Sequence, residues 1–288
     1  MNIYMRIWRL YRNELAKFVR QRFPWLAVFL VALAAFLIAH NIDSMMTAMD
    51  LTGYRVLILG ATLGCSSFIP MLVIIFGSTL VASEVAAGTT RLALARPVTR
   101  FEFMTAKVMI GLTFAMMLMA AYFATIVLAT PEQFAYEAVV DEGEVLASQS
   151  RLIGALAIAF LGTLFQLTAA LAYGMMMSVL ARGLINAIGA AIGIFIGVDV
   201  FKHVLQIPVP GAGEYDLAPM IFTSYMTDFL KTAQDIALGL DTVWFERQGA
   251  AWTSIENPGI AAILIPALSC IVFWGVAYGI FLRRDLHE

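Results

Sequence analysis

SEVAAGTTRLALARPVTRFEFMTAK, residues 83–107, is a polar, turn-rich segment set between two long apolar runs, and the fold is best read outward from it. The helix entering from the left is predicted to stop at Gly88, because glycine takes the left-handed geometry of a helix end at no steric cost. Thr89 and Thr90 then cap a short helix, TTRLALAR. Pro97 ends it, since proline cannot continue a helix and pushes Arg96 towards extended backbone. Thr99 and Glu102 have the Ncap and N3 spacing of a capping box, with Val98 and Phe103 at N′ and N4 as a hydrophobic staple, so a second long helix starts at Thr99. The product is an elbow: helix, break, short basic helix, break, helix. Its arginines Arg91, Arg96 and Arg100 fall outside any membrane that the flanking apolar runs cross.

Glu84, a gap of three, Gly88-Thr89, Leu92, Pro97-Val98-Thr99-Arg100 and Lys107 resemble the E-x3-G-T…L…P-[VI]-[ST]-R…K signature of ABC-2 type transporter permeases. Val85-Ala86-Ala87 stand where that family usually carries charged residues. The resemblance implies that the segment is the first cytoplasmic loop. Its short helix would be the coupling helix that docks on a separate ATPase subunit. Glu84, Gly88, Thr89, Arg91, Leu92, Arg96, Pro97, Arg100 and Lys107 are then the candidate coupling and ATPase-contact residues.

Composition supports a membrane protein over the whole length. Hydrophobic residues make up 61% and charged residues 13%, outside soluble usage. Six apolar runs are long enough for ~30 Å of hydrocarbon: residues 24–40, 56–83, 103–129, 152–181, 184–201 and 259–282. Only helices and closed barrels satisfy their backbone in lipid, so the expected fold is an all-α polytopic bundle. Lys and Arg set the orientation. With both termini inside, the inner side carries thirteen: Arg6, Arg9, Arg12, Lys17, Arg20, Arg22, Arg91, Arg96, Arg100, Lys107, Arg182, Arg283 and Arg284. The outer side has five: Arg55, Arg151, Lys202, Lys231 and Arg247. The net charge of −2 hides this asymmetry, with Glu132, Glu137, Asp141, Glu142 and Glu144 outside, and gives no reason to invoke nucleic acid. No secretory signal is expected at the N-terminus, whose basic region is far longer than an n-region.

Residues 3–22, within an expected N-terminal unit 1–23, read as an amphipathic interfacial helix. Tyr4, Ile7, Trp8, Tyr11, Leu15, Phe18 and Val19 share one face; Arg6, Arg9, Asn13, Lys17 and Arg20 share the other. The basic face is expected to meet anionic headgroups or an acidic partner surface. The remainder, 24–288, forms the transmembrane domain. In its second span, Val56–Ser83 at ~1.5 Å per residue is about 42 Å, which demands tilt, projection or a kink, for which Pro70 is the candidate. Gly60 and Gly64 offer a close-packing face, and Gly189, Gly193 and Gly197 repeat one at i, i+4, i+8. That second stripe is expected to form a seam, placed between two copies of the subunit. A carboxylate at Glu84 needs a cationic partner, for which Arg91, Arg100 and Lys107 are the candidates, and Asp199 is expected to pair with Lys202. Met-rich spans three and four suit either ordinary packing or a soft substrate lining. Met45, Met46 and Met49 read as loop contacts in preference to a copper site. Cys65 and Cys270 read as packed thiols. Residues 202–258 are expected to place short helices in the outer interface, where the resemblance implies a gate, and Pro266 is expected to interrupt the last span.

No G-x-x-x-x-G-K-[ST] is present, and H-E-x-x-H and G-x-S-x-G are also absent. An ATPase site, a metalloprotease and a serine hydrolase are therefore not expected within this chain, nor are a metal site or a cofactor of its own; ATP and Mg²⁺ would belong to the partner subunit. The expected function is an ATPase-driven permease subunit, exporting a substrate as a dimer with itself or a homologous permease. The alternative that the resemblance allows is a subunit that transmits ATPase work to an extracytoplasmic machine, such as one assembling a metal site, without bulk transport.

Overall fold

A computed structural model describes residues 3–45, 52–88, 98–130, 134–141, 144–205, 221–238 and 258–283. Helix α1 spans Ile3–Arg20, α2 Arg22–Met45, α3 Gly53–Ser66, α4 Phe68–Ala86 and α5 Arg100–Ala129. A hairpin of β1 (Val139–Asp141) and β2 (Glu144–Ala147) precedes α6, Gln149–Leu180. Then come α7 (Leu184–Leu205), a 3₁₀ turn (Phe222–Tyr225), α8 (Asp228–Ala237) and α9 (Pro258–Arg283). Among the described residues, α2, α4, α5, α6, α7 and α9 are long and apolar enough to cross a membrane. The chain is an all-α polytopic membrane protein.

Helix α6 lies at the centre and packs against α3, α4, α5, α7, α8 and α9. Side chains of α2 show how the bundle divides inside from outside. Ala27, Val31, Ala35 and Ala39, spaced every four residues, are buried towards the bundle, while Trp25, Phe29, Leu33 and Phe36 face outward. Lipid is as apolar as leucine, so close packing of small residues is what holds such helices together. The same logic explains the tightest crossing, α4 on α6. A Cβ added at Gly174 would lie 2.6 Å from the Ile74 carbonyl oxygen, and the Val81 and Ala82 amides donate to Ser178 Oγ at 3.0 and 2.8 Å.

Three expectations are corrected here. The apolar run 56–83 is not one kinked helix. It breaks at Ser67 (φ −145°, ψ −34°), so α3 ends at Ser66 and α4 begins at Phe68. Pro70 therefore sits in the first turn of α4, where a missing N–H leaves no helical bond unmade. Pro266 does not interrupt the last span, because α9 runs continuously through it. Helix α8, expected to turn its apolar face to the outer interface, turns it to protein: it packs on α3 and α6, burying Phe229, Leu230, Ala233 and Ile236, and Arg55 Nε donates to its last carbonyl, Ala237 O, at 3.0 Å.

Other readings find their place. Gly60 and Gly64 do form a close-packing face, since added Cβ atoms would meet Ile126 at 2.9 Å and the Tyr122 ring at 2.2 Å. Tyr122 caps this seam by donating to Gly60 O at 2.6 Å. A Cβ added at Gly189, Gly193 or Gly197 would meet no atom of the described residues within 4 Å beyond the local helix, and all three glycines are exposed, so this stripe faces away from the bundle. Lys202 pairs with Asp199 at 2.5 Å. Both cysteines are buried free thiols, Cys65 against Met119 and Cys270 against Thr168. Met46 and Met49 lie outside the described residues.

Candidate functional site

The two helix ends that define the elbow are built as their sequence dictates. Helix α4 stops because Gly88 adopts φ +67°, with the Ala87 amide donating to Ser83 O at 3.0 Å and that of Gly88 to Val85 O at 3.1 Å. Helix α5 starts on a full capping box: Glu102 N–H donates to Thr99 Oγ1 at 3.2 Å, and Thr99 N–H donates to Glu102 Oε2 at 2.9 Å. Thr89, Arg91, Leu92, Arg96 and Pro97, which carry the expected coupling helix, lie outside the described residues.

Between these ends sits a closed ring of alternating charge. Lys107 Nζ donates to Glu84 Oε1 at 2.7 Å and to Glu14 Oε2 at 2.5 Å. Lys17 Nζ donates to Glu14 Oε1 at 2.8 Å and to Glu84 Oε1 at 2.9 Å. Each carboxylate thus meets both ammonium groups. Three elements contribute: α1 (Glu14, Lys17), the end of α4 (Glu84) and the second turn of α5 (Lys107). The Lys107 side chain is only 4% exposed and also lies over the Phe103 ring, 5.3 Å from its centroid. A buried ammonium of this kind is sustained only by such partners. Lys17 is the exposed corner. Partial burial alone would lower its pKa, but hydrogen bonds and the field of Glu14 and Glu84 outweigh this, so it stands raised.

A second tie lies beside the ring. Glu102, fully buried, faces Arg6 of α1 at 3.3 Å, an ion pair whose angle does not make a hydrogen bond. Arg100 reaches the far end of the chain, where Nη1 donates to Phe281 O at 3.1 Å and Leu282 O at 2.6 Å. These are terminal carbonyls of α9, the negative end of its dipole. Below the ring, Phe76 packs on Phe114 with centroids 4.3 Å apart, while Phe18 of α1 and Phe23 of α2 close around Phe76. The charged and aromatic layers bound a cavity of about 300 Å³, also lined by Gln21, Thr79, Leu80, Ser83 and Ile110.

Of the residues singled out from sequence, the structure brings Glu84 and Lys107 together and flanks them with Gly88. Arg100 is drawn to α9 and does not pair with Glu84. Lys17 takes that place, although periodicity set it on the face of α1 opposite Phe18. Arg6 is likewise turned to an acidic partner inside the chain. Helix α1 has three faces: Tyr11, Glu14 and Phe18 inward, Tyr4, Trp8 and Val19 exposed and apolar, Arg9, Arg12 and Arg20 exposed and basic. Sequence reasoning missed Glu14, although it is the one acidic residue in α1, three residues before Lys17. That lone acid among basic residues was the available signal.

Among the described residues no three His, Cys, Asp or Glu side chains gather as a metal site. No curated protein matches the chain well enough to count as a relative. The sequence model of a family described as ABC-2 family transporter protein matches residues 8–286, from within α1 to beyond the end of α9. The chain belongs to the ABC-2 family of transporter membrane proteins.

Proposed function

We propose that this chain is the permease subunit of an ATP-binding cassette exporter, held in the cytoplasmic membrane with both termini inside. Two separate ATPase subunits, which bind the ATP and Mg²⁺, dock on residues 89–97 of the permease and of a second copy. The observation that carries this reading is the charged ring. It joins α1, the end of α4 and the start of α5 into one unit on both sides of the elbow, and Arg100 adds the end of α9. A push on residues 89–97 therefore moves four helices together. Three of them, α4, α5 and α9, are apolar enough to reach across the membrane, which gives the work of the ATPase a rigid route through it.

Mild-detergent purification of the full chain from its native membranes, with mass spectrometry of what stays bound, tests the proposal. A Walker-containing ATPase at stoichiometric level is expected, lost on reversing Arg91 and Arg96 to glutamate. Arg100 is left out of that set because its guanidinium is engaged on α9. Recovery of the chain alone, under conditions that keep other membrane complexes whole, would overturn the ATPase partnership.

A further inference from the structure

The most costly unexplained groups lie near the middle of α6. Gln166 is fully buried, and neither its Nε2 nor its Oε1 finds a hydrogen-bond partner among the described residues. Thr163, one turn away and also fully buried, leaves Oγ1 unpaired. A third such group, Thr223 Oγ1, is carried by the 3₁₀ turn before α8, with its residue 5% exposed. Buried polar groups are nearly always paired, and an amide with both ends unmade in an apolar span is strongly disfavoured.

Helical spacing shows what covers them. Gly162, Gln166 and Tyr173 fall at i, i+4 and i+11, along one stripe of α6. At one end of the stripe the Phe229 ring of α8 presses on Gly162, where an added Cβ would be 2.3 Å from it. At the other end Tyr173 packs on Phe222 of the 3₁₀ turn and on Phe273 of α9, at 6.2 and 5.6 Å. Gln166 thus lies on the stripe between two contacts made by the segment 222–237, and that segment brings Thr223 with it.

We propose that Gln166, Thr163 and Thr223 form a ligand site near the middle of the membrane, and that the segment 222–237 is the cover that closes over it. One carboxamide and two hydroxyls carry no formal charge, and the walls are aromatic and aliphatic. The ligand class that satisfies them is a neutral amphiphile: an apolar body with an uncharged hydroxyl, ester or amide group. Gln166 would donate to its carbonyl and accept from its hydroxyl. This deepens the exporter reading, on which it rests for the identity of the site as a transport site.

The test uses the purified full chain, with 1,2-dioctanoylglycerol as probe and hexadecane as an apolar control without polar atoms. Dioctanoylglycerol is expected to raise the thermal midpoint of the wild-type chain by roughly 2–5 °C near saturation, and hexadecane is not. Gln166→Leu and Thr163→Val remove unpaired polar atoms at nearly constant volume, so each should keep or raise the ligand-free midpoint while losing the probe response. An equal response to hexadecane, an undiminished response in Gln166→Leu, or a lowered ligand-free midpoint in both variants overturns the site. The ATPase assay above separates the two readings. A probe response in a chain that retains no ATPase keeps the site and removes the exporter; a retained ATPase with no probe response does the reverse.

Discussion

Replacing Lys107 with methionine keeps the apolar stem beside Phe103 but removes the buried cation that Glu14 and Glu84 share and leaves them bridged by Lys17, whose ammonium is largely exposed. Breaking a buried ion pair from one side costs about 3–5 kcal/mol, so Lys107→Met should lower the thermal midpoint of the purified chain sharply. Adding Glu84→Gln should recover part of that loss, and a double-mutant cycle that came out additive would show that the ring is not a coupled unit. Gly88 makes a different kind of argument. No atom of the described residues lies within 4 Å of an added Cβ there, so the penalty expected is that of the backbone at φ +67°. Gly88→Val should cost about 1–2 kcal/mol locally and re-aim residues 89–97, reducing the ATPase retained on purification, whereas Gly88→Asn, which tolerates this region, should keep it. Equal retention by both variants would sink the role given to the elbow's first break. At this scale the sequence was legible where chemistry is local: Gly88 as a helix stop and Thr99 with Glu102 as a capping box follow from neighbours in the chain. Glu84 and Lys107 could be named as candidates for pairing. The choice of Lys17 over Arg100 could not be read, because a long lysine stem reaches across a helix face and because Arg100 found the terminal carbonyls of a helix nearly two hundred residues away, at Phe281 and Leu282.

Helices with a clear apolar run and a clear cap were legible, and those defined by their neighbours were not. Five of the six spans fell close to their expected places because hydropathy reports them directly. The break at Ser67 left no mark in composition, since Val56–Ser83 is apolar on both sides of it, and proline suggested a kink where the structure has a helix start. The amphipathicity of α8 was visible, but periodicity alone does not say whether the apolar face meets lipid or protein; its burial on α3 and α6 decided that. The seam between α3 and α5 supports a prediction at this scale. Gly64→Ala would put a Cβ 2.2 Å from the Tyr122 ring, which also donates to Gly60 O, so the two helices must part. Overpacking of this sort costs about 1–3 kcal/mol, readable as a lower thermal midpoint, and pairing it with Tyr122→Leu should restore much of it by making room. The hold on α1 has a pH sign. Lys17 has a raised pKa, so its contribution is complete below the ordinary lysine range and is lost only as pH rises past the raised value. Protease access to the α1–α2 junction should therefore stay constant, as far as Lys17 governs it, from neutral pH to about pH 9 and increase only in stronger alkali. An increase already near pH 8 would show that another group governs the attachment of α1.

At the scale of the whole molecule the surface of α7 bears on assembly. Its glycines Gly189, Gly193 and Gly197 repeat every fourth residue, yet no described residue beyond the local helix approaches a Cβ added there, while Gly60, Gly64, Gly77 and Gly174 all meet close neighbours inside the bundle. Glycine is tolerated inside a membrane helix at little benefit unless a backbone comes near, and a stripe of three with no internal neighbour fits an approach from outside. In the proposed exporter a second copy would supply that approach, with α7 of each protomer crossing its mate. The two roles of small residues give a clean separation. Gly193→Leu adds a side chain where the chain has open space, so the stability of the isolated protomer should change by no more than about 0.5 kcal/mol. Self-association should fall, measured as the fraction of dimer in detergent and as cross-linking of a Gly193→Cys variant in native membranes. Gly77→Leu should do the opposite, damaging the fold through the α4–α6 crossing before any effect on assembly can be read. If Gly193→Leu leaves both dimer fraction and cross-linking untouched, the seam between copies lies elsewhere.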